Sequence, residues 1–407
     1  MNILFLTLSK MEDIAERGIY TDLVRELANK EINVYVVSPR ERRTNLPTKL
    51  DQKGNINVLK VQTGNITKTN FIEKGLSTFT IEGNYLRAIK KYFIDVKFDL
   101  IMYSTPPITF EKVVRRLKKE NKAKTYLMLK VIFPQNAVDL GLIKKNSLIW
   151  RYFVRKEKRL YELSDKIGCM SIGNVSYLLK HNPYIEPSRV EVFPNSINPL
   201  PRKEQKAKDQ KIMQKYEIPQ DATLFVYGGN LGKPQGVDFL LEIVDNFHKV
   251  DSGYFIIVGN GTEYQRIRRH LEAKLPKNVC LLNLLPKDDY DQLLDIADVG
   301  LIFLDQRFTI PNFPSRLTAY MENSLPILAA TDRNTDLKEV LSEAKCGLWS
   351  ESGDIDAFIS NAQKLSLDKG LRNKMGCNGR NYLEDNYDIK GNVHIILKNL
   401  CGDEADV

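Results

Sequence analysis

The sequence predicts an α/β protein made of two doubly wound parallel sheets, one in each half of the chain. Short apolar runs that suit buried strands alternate with segments of helical periodicity along both halves. A polar segment with two prolines and a charge run, residues 198–211, separates the halves and is typical of an interdomain linker. At 407 residues, 43% of them hydrophobic, the chain is long enough for two domains that each bury a core.

These features set the expected domain boundaries. We expect an N-terminal domain over residues 1–197, a linker over 198–211 and a C-terminal domain over 212–386. Within residues 387–407, the apolar segment Ile389 to Leu400 predicts a helix that returns to brace the first domain, followed by a short acidic tail.

The first half opens with a predicted strand at 2–8, a helix at 19–29 and a strand at 34–37, a βαβ unit that implies a parallel sheet. Residues 41–76 are polar and predict irregular structure apart from one strand at 56–61. The remaining pattern predicts helices at 77–93, 110–120 and 175–181 and strands at 100–103, 125–129, 167–171 and 190–193.

The second half repeats the alternation of strands and helices. Apolar runs that predict strands begin at Thr223, Tyr254, Val279, Val299, Pro326 and Gly347. Helical segments separate these runs, so we expect a second doubly wound sheet.

A glycine-rich turn follows the first of these strands. Residues 228–236 read GGNLGKPQG, between the strand at 223–227 and a predicted helix at 237–248. Such turns let a phosphate group approach backbone amides. The spacing is not GxGxxG, so we expect Lys233 to supply charge, with Gly229 and Asn230 in the turn.

A second turn points to the same kind of ligand. Residues 311–326 lie between two apolar runs and predict a loop, a short helix that Ser315 caps, and a return to the sheet. Arg316 falls in the first helical turn, where the helix dipole disfavours a cation, so a nearby anion would explain it. The alternative is a solvated surface arginine. If both turns leave strands of one parallel sheet, they would share a diphosphate.

Polar residues also follow the predicted strand at 125–129. In an open α/β sheet the loops after the strands face the ligand crevice, so Lys130, Gln135, Asn136 and Asp139 are candidates to line it. Simple solvation of the loop is the alternative, and Asp139 could equally cap the following turn. Gly18 precedes the first helix, where a tight turn and a role in the site are equally compatible with glycine.

Several stretches together resemble one known family. The strings GNLGKPQGVDFLL, IIVGNGTE, PKDDYDQLLDIADVGLI and PSRLTAYMENSLPILAATD, in that order, resemble the nucleotide-sugar half of family 4 glycosyltransferases, which have two Rossmann-like domains. In the first half, RGIYTDLVRELANKEINVYVVSP, FDLIMYSTPP and FPQNAVDLG resemble relatives that build bacterial surface polysaccharides. The resemblance covers nearly the whole chain.

The resemblance implies the GT-B architecture, two Rossmann-like domains facing a central cleft, and an enzyme that moves a sugar to a glycan acceptor. It implies a nucleoside diphosphate sugar, expected to be UDP-linked, in the C-terminal domain, and a lipid-linked acceptor in the N-terminal domain. It also implies retention of anomeric configuration. We expect no cofactor and, from the residues discussed below, no metal. The expected donor-binding residues are Gly18, Gly229, Asn230, Lys233, Ser315 and Arg316, the acceptor-binding residues Lys130, Gln135 and Asn136, and the catalytic residues Asp139, Lys233 and Arg316.

The sequence departs from the family pattern at several positions. Pro311 and Ala319 stand where the family has paired glutamates, and Val131 stands where relatives commonly have a histidine or an acidic residue. A sugar-nucleotide-binding protein without catalysis is therefore one alternative. A nucleotide-sugar epimerase of the same double fold is another.

Charge is distributed unevenly along the chain. Residues 1–200 hold 34 Lys and Arg against 20 Asp and Glu, a net charge of +14, whereas residues 201–407 have a net charge of −5. A basic half suits nucleic acid or the anionic inner leaflet of a membrane, and the resemblance favours the membrane. The segment 144–161 supports this reading because it interleaves aromatic and aliphatic residues with seven cations. An ordinary helix with a packed apolar face is the alternative.

The remaining features concern location and metals. The first residues do not resemble a leader peptide, and no apolar run reaches about 18 residues. The five cysteines are scattered, as in proteins of a reducing compartment. We therefore expect a cytoplasmic protein peripheral to the membrane. The four histidines show no ligand spacing. Asp289-Tyr290-Asp291 imitates a metal-binding DxD, but we interpret it as the start of a helix, where acidic residues favour the dipole.

Overall fold

The computed structural model describes residues 1–65, 71–202 and 209–402, without the side chains of residues 71–79. The chain forms two compact units. The first comprises Met1–Asn198 together with Ile389–Val407, and the second comprises Pro199–Asp388. Most of the predicted linker, residues 203–208, lies outside the described residues.

The first unit is an eight-stranded sheet flanked by helices. Its strands are β1 Asn2–Leu6, β2 Asn33–Glu41, β3 Lys49–Lys53, β4 Ile56–Thr63, β5 Leu100–Ser104, β6 Lys124–Leu129, β7 Lys166–Cys169 and β8 Val190–Val192. Its first helices are α1 Ile19–Asn29, α2 Phe71–Tyr92, α3 Glu111–Asn121, α4 Gln135–Asp139, α5 Leu148–Leu163 and α6 Ile172–His181. The strand order is β3-β4-β2-β1-β5-β6-β7-β8.

The central strands of this sheet are apolar because helices cover them on both faces. Ile3, Leu4, Phe5 and Leu6 of β1 are all buried, and β1 pairs in parallel with β2 and β5. The antiparallel strand β3 was missed by the sequence prediction. Its residues read Lys-Leu-Asp-Gln-Lys, and an edge strand that is mostly exposed carries no apolar run to reveal it.

The second unit is a six-stranded parallel sheet. Its strands are β9 Thr223–Asn230, β10 Gly253–Asn260, β11 Val279–Leu282, β12 Val299–Phe303, β13 Ile327–Thr331 and β14 Gly347–Glu351. Its helices are α7 Gln210–Lys215, α8 Val237–Asn246, α9 Tyr264–Lys274, α10 Lys287–Ile296, α11 Arg316–Glu322, α12 Leu337–Ala344, α13 Ile355–Leu367 and α14 Lys369–Asn386. The strand order is β11-β10-β9-β12-β13-β14.

This second order is that of a doubly wound fold, in which the chain winds outward from β9 in one direction and then from β12 in the other. The core is built from buried rings on β9, β10 and β12, including Phe225, Phe255 and Phe303. The two predicted doubly wound sheets are therefore confirmed.

The last helix, α15 Ile389–Cys401, is part of the first unit. Its buried residues Ile389, Val393 and Ile396 belong to the same core as Leu23 and Leu27 of α1. Among the described helices, none combines the length and the apolarity that a membrane crossing requires.

Candidate active site

The second sheet has a switch point between β9 and β12. These strands are neighbours, and the chain turns to opposite sides of the sheet after each of them. In open α/β sheets, ligands bind beyond the carboxyl ends of the strands at such a point. The first three residues of the glycine-rich turn, 228–230, are the end of β9, and the rest of the turn follows that strand. The loop that leads to Arg316 follows β12, so the two predicted anion-binding turns meet there.

The glycine-rich turn packs closely against the loop that follows β12. Gly236 has φ +60°, and a β carbon there would lie 3.2 Å from the carbonyl oxygen of Leu304. The backbone N–H of Asp305 donates to the carbonyl oxygen of Pro234 at 3.0 Å, which ties the loop after β12 to the turn after β9. Lys233 begins a short 3-10 turn between these points, and its side chain is exposed. It forms no ion pair with any residue that the structure describes.

Arg316 lies directly against this turn. Its guanidinium carbon is 4.2 Å from the centre of the Tyr227 ring, and its Nη2 is 3.0 Å from where a β carbon on Gly229 would lie. Gly229 has φ +138°, a backbone conformation that favours glycine. Two residues predicted separately from two distant stretches of sequence are therefore in contact.

The charge of Arg316 is not compensated by a carboxylate. Within the described part of the chain it forms no ion pair, and its half-buried side chain has an enclosed Nη1 without a hydrogen-bond partner. Burial alone would lower the pKa of Arg316, but the hydroxyl groups of Tyr227, Tyr320 and Tyr290 outweigh that effect and raise it. The guanidinium is thus a fixed cation available to an anionic ligand.

The predicted cap of α11 is wrong. Ser315 stands at the N-cap position, but its backbone is already helical, with φ −65° and ψ −19°, and its side chain makes no capping hydrogen bond. A capping side chain needs an extended backbone to reach the N–H groups of the first turn. The helix α11 has only seven residues, so its dipole is small. The positive charge of the site therefore comes mainly from Arg316.

Other contacts hold the loop that carries Arg316. The backbone N–H of Asn312 donates to Thr335 Oγ1 at 3.0 Å, and that hydroxyl donates back to the carbonyl oxygen of Asn312. The hydroxyl of Tyr320 accepts from the N–H of Gly228 at 3.3 Å and donates to the carbonyl oxygen of Val226 at 3.1 Å. The loop is therefore anchored to the segment after β13, and α11 is anchored to β9 through Tyr320.

Sequence reasoning missed the tyrosines of this site, Tyr227, Tyr290 and Tyr320. Each lies within a strand or helix whose periodicity assigns it to the core, and Tyr227 and Tyr320 are indeed fully buried. The signal that could have found them is the hydroxyl, since a buried tyrosine needs a polar partner near its tip.

The predicted acceptor residues lie at the carboxyl end of β6 in the first unit. Lys130 Nζ donates to the carbonyl oxygens of Phe193 and Pro194 at 3.3 and 3.4 Å, so it holds the segment after β8. Burial lowers the pKa of Lys130 to about 7. In α4, Gln135 Nε2 donates to Asp139 Oδ1 at 2.7 Å, and the enclosed Oδ1 of Asn136 has no partner among the described residues.

Gly18 stands before α1 in extended backbone, with φ 171° and ψ 159°, a conformation open to any residue. A β carbon there would meet only Thr21 Oγ1, at an ordinary 3.4 Å. The tight-turn explanation for this glycine is therefore unsupported, and its predicted place in the donor site remains a prediction.

The Asp289-Tyr290-Asp291 stretch behaves as a helix start. Asp289 lies in the first turn of α10 and accepts from Lys215 Nζ at 2.7 Å. Among the described residues, no group of three or more His, Cys, Asp or Glu side chains could hold a metal ion.

The sequence of residues 208–382 matches the protein family described as "Glycosyl transferases group 1". The chain carries a group 1 glycosyltransferase domain. This domain occupies the second unit, with the glycine-rich turn and Arg316 inside it. The prediction of a transferase is thereby confirmed.

Two curated proteins are similar to this glycosyltransferase over longer stretches. It is 22% identical over 290 residues to "Probable glycosyltransferase WbjE" of Pseudomonas aeruginosa, covering 70% of this chain and 69% of that protein. It is 24% identical over 230 residues to WcaI of Escherichia coli (strain K12), whose name refers to colanic acid biosynthesis, covering 54% of each chain.

Solved structures share the fold of this glycosyltransferase. HepE of Anabaena, determined in complex with UDP and glucose, superimposes with a TM-score of 0.72 at 14% identity, covering 98% of this chain and 99% of that one. At that level of identity the likeness establishes the fold.

Proposed function

We propose that this glycosyltransferase moves a sugar from a UDP-linked donor to a lipid-linked glycan during synthesis of a bacterial surface polysaccharide. The observation that carries the proposal is the pair Lys233 and Arg316, two cations without carboxylate partners among the described residues, on the two loops of one switch point. The UDP in the HepE complex and the polysaccharide-related name of WcaI support the donor and the pathway class.

The chemical problem in this reaction is the leaving group. As the glycosidic bond breaks, the nucleoside diphosphate gains negative charge, which fixed positive groups stabilise more in the transition state than in the ground state. Arg316 supplies a guanidinium that is already held, and Lys233 supplies an ammonium on a flexible chain. These two side chains would carry the stabilisation without a metal, and the anomeric configuration would be retained.

We place the acceptor on the first unit, at the carboxyl end of β6. Asp139 is the carboxylate of this segment, half-buried and oriented by Gln135. The unpartnered oxygen of Asn136 and the side chains of Lys130 and Gln135 would contact the acceptor glycan. In this arrangement Asp139 orients or deprotonates the attacking hydroxyl group.

Calorimetry with UDP tests the donor site. Because Lys233 forms no ion pair with the residues that the structure describes, Lys233→Ala should leave folding intact and weaken UDP binding about tenfold, the loss expected for one charge-assisted contact. Lys249→Ala is the matched control, since Lys249 is exposed in the same unit but precedes β10, at the opposite edge of the sheet. Equal UDP affinity in Lys233→Ala and the unmodified protein would place the diphosphate elsewhere.

A surface of the first unit supports a membrane partner. Leu142, Leu148 and Ile149 are 61%, 83% and 57% exposed, and the neighbouring Lys144 and Lys145 are exposed as well. The alternative of a packed apolar face does not apply to these side chains. Apolar residues beside cations suit the interface of an anionic bilayer, where each cation contributes roughly 1 kcal/mol. We therefore propose that the protein lies peripherally on the inner face of the cell membrane.

Cosedimentation with vesicles containing anionic phospholipid tests this surface. We expect binding at low ionic strength, release at high ionic strength, and at least tenfold weaker binding for the double variant Leu148→Ser/Ile149→Ser, since two apolar side chains no longer enter the interface. Leu367→Ser is the control, because Leu367 is 66% exposed in the second unit. Binding that is absent at low salt, or that high salt leaves unchanged, would rule the proposal out.

A further inference from the structure

Tyr227 contacts both Arg316 and the glycine-rich turn, the two parts of the candidate donor site. It belongs to β9 and is fully buried. Its ring lies 4.2 Å from the guanidinium carbon of Arg316, and its hydroxyl donates to the carbonyl oxygen of Asn230 at 2.8 Å. One side chain therefore connects the cation to the glycine-rich turn.

Tyr227 is itself held rigidly. Its ring stacks on Phe303 of β12, with ring centres 5.4 Å apart and planes 27° from parallel. Because β9 and β12 are the two strands at the switch point, the position of this ring is fixed by the core of the sheet. A rigid ring can hold a flexible side chain that packs on it.

Arg316 has few other restraints at its charged end. Among the described residues, its Nη1 has no hydrogen-bond partner and no ion pair orients the guanidinium. An arginine side chain loses much conformational freedom when it binds a ligand, and stacking on an aromatic face removes part of that freedom beforehand. Contact with Tyr227 thus supplies an orientation that no ion pair with a described residue provides.

We propose that Tyr227 is a positioning residue, whose ring face holds the Arg316 guanidinium in the orientation that binds the donor diphosphate. This inference rests on the proposed function, in which Arg316 contacts that diphosphate. The hydroxyl of Tyr227 donates to the carbonyl oxygen of Asn230 and also interacts with Arg316. A substitution that removes the hydroxyl but keeps the ring therefore separates the contribution of the ring face from that of the hydroxyl.

Calorimetry with UDP on four variants separates these contributions. Tyr227→Phe keeps the face and should bind UDP within about threefold of the unmodified protein, whereas Tyr227→Leu should bind about tenfold more weakly. In the Arg316→Ala background, Tyr227→Leu should cause no further loss, because the two residues act through one contact. Phe255→Leu is the structural control, since it opens a similar cavity in the same core and should lower thermal stability without changing UDP affinity.

The outcomes distinguish this inference from the proposed function. If Arg316→Ala binds UDP as tightly as the unmodified protein, the proposed donor site is wrong. If Arg316→Ala binds weakly but Tyr227→Leu binds normally, or loses the same affinity again in the Arg316→Ala background, the positioning role is wrong. Should Tyr227→Leu not fold, Tyr227→Met fills more of the space and serves for the same comparison.

Discussion

Replacing Arg316 with alanine is expected to slow sugar transfer about 100- to 1,000-fold, the loss typical of removing one preorganised group that stabilises transition-state charge. The guanidinium is already fixed beside Gly229 and over the Tyr227 ring, so it requires little rearrangement when the diphosphate becomes more negative. The substitution removes a cation with no ion-pair partner among the described residues, so it leaves no carboxylate unpaired.

The measurement is the steady-state rate of UDP release from a UDP-sugar in the presence of acceptor. Arg333→Ala provides the control, because Arg333 follows β13 at the same edge of the sheet but is 78% exposed and paired with Glu351 at 2.7 Å. We expect its rate to change less than about threefold. Rates for Arg316→Ala equal to those of the unmodified protein, or equal losses in both variants, would exclude a specific role for Arg316.

Neutralising Asp139 should be the second large effect, a loss of roughly 100-fold or more in rate. The variant Asp139→Asn keeps an oxygen that can accept from Gln135, so α4 should retain its shape while the carboxylate charge is removed. UDP affinity should stay within about threefold because Asp139 belongs to the acceptor side of the proposed reaction.

The same assay of UDP release, with the acceptor in excess, measures this effect. Glu162→Gln serves as the matched control, since Glu162 is an exposed carboxylate of α5 in the same unit and pairs with Lys158 only at 3.8 Å. A rate for Asp139→Asn close to that of the unmodified protein would assign Asp139 to the structure of α4.

The sequence predicted the two sheets well because their strands are apolar runs separated by clear turns. Its prediction failed where structure depends on contacts distant in sequence. Strand β3 pairs with β4 despite its polar composition, and the helix in segment 144–161 begins only at Leu148, where the preceding Ser147 caps it. Ser315 resembles a capping residue locally, but the loop it closes is held by Thr335 of a later segment.

The candidate site was predictable only in part, because local turn patterns are visible in the sequence but contacts between distant residues are not. The sequence predicts Lys233 and Arg316 because each lies in a turn whose local pattern favours an anion. Their relation to one another depends on the strand order, which places β9 beside β12. The support of Arg316 by Tyr227 is a contact across 89 positions of sequence, between a strand residue that resembles ordinary core and a helix residue that resembles ordinary surface.

Turnover with a panel of UDP-sugars tests the central claim most directly. The unmodified protein, incubated with each donor and with membrane extract that contains lipid-linked acceptors, should release UDP from one donor at a rate that rises with acceptor and is insensitive to EDTA. Arg316→Ala should abolish most of that release. No acceptor-dependent release from any donor, or a release that EDTA stops, would contradict the proposal that Lys233 and Arg316 carry the charge of the departing diphosphate.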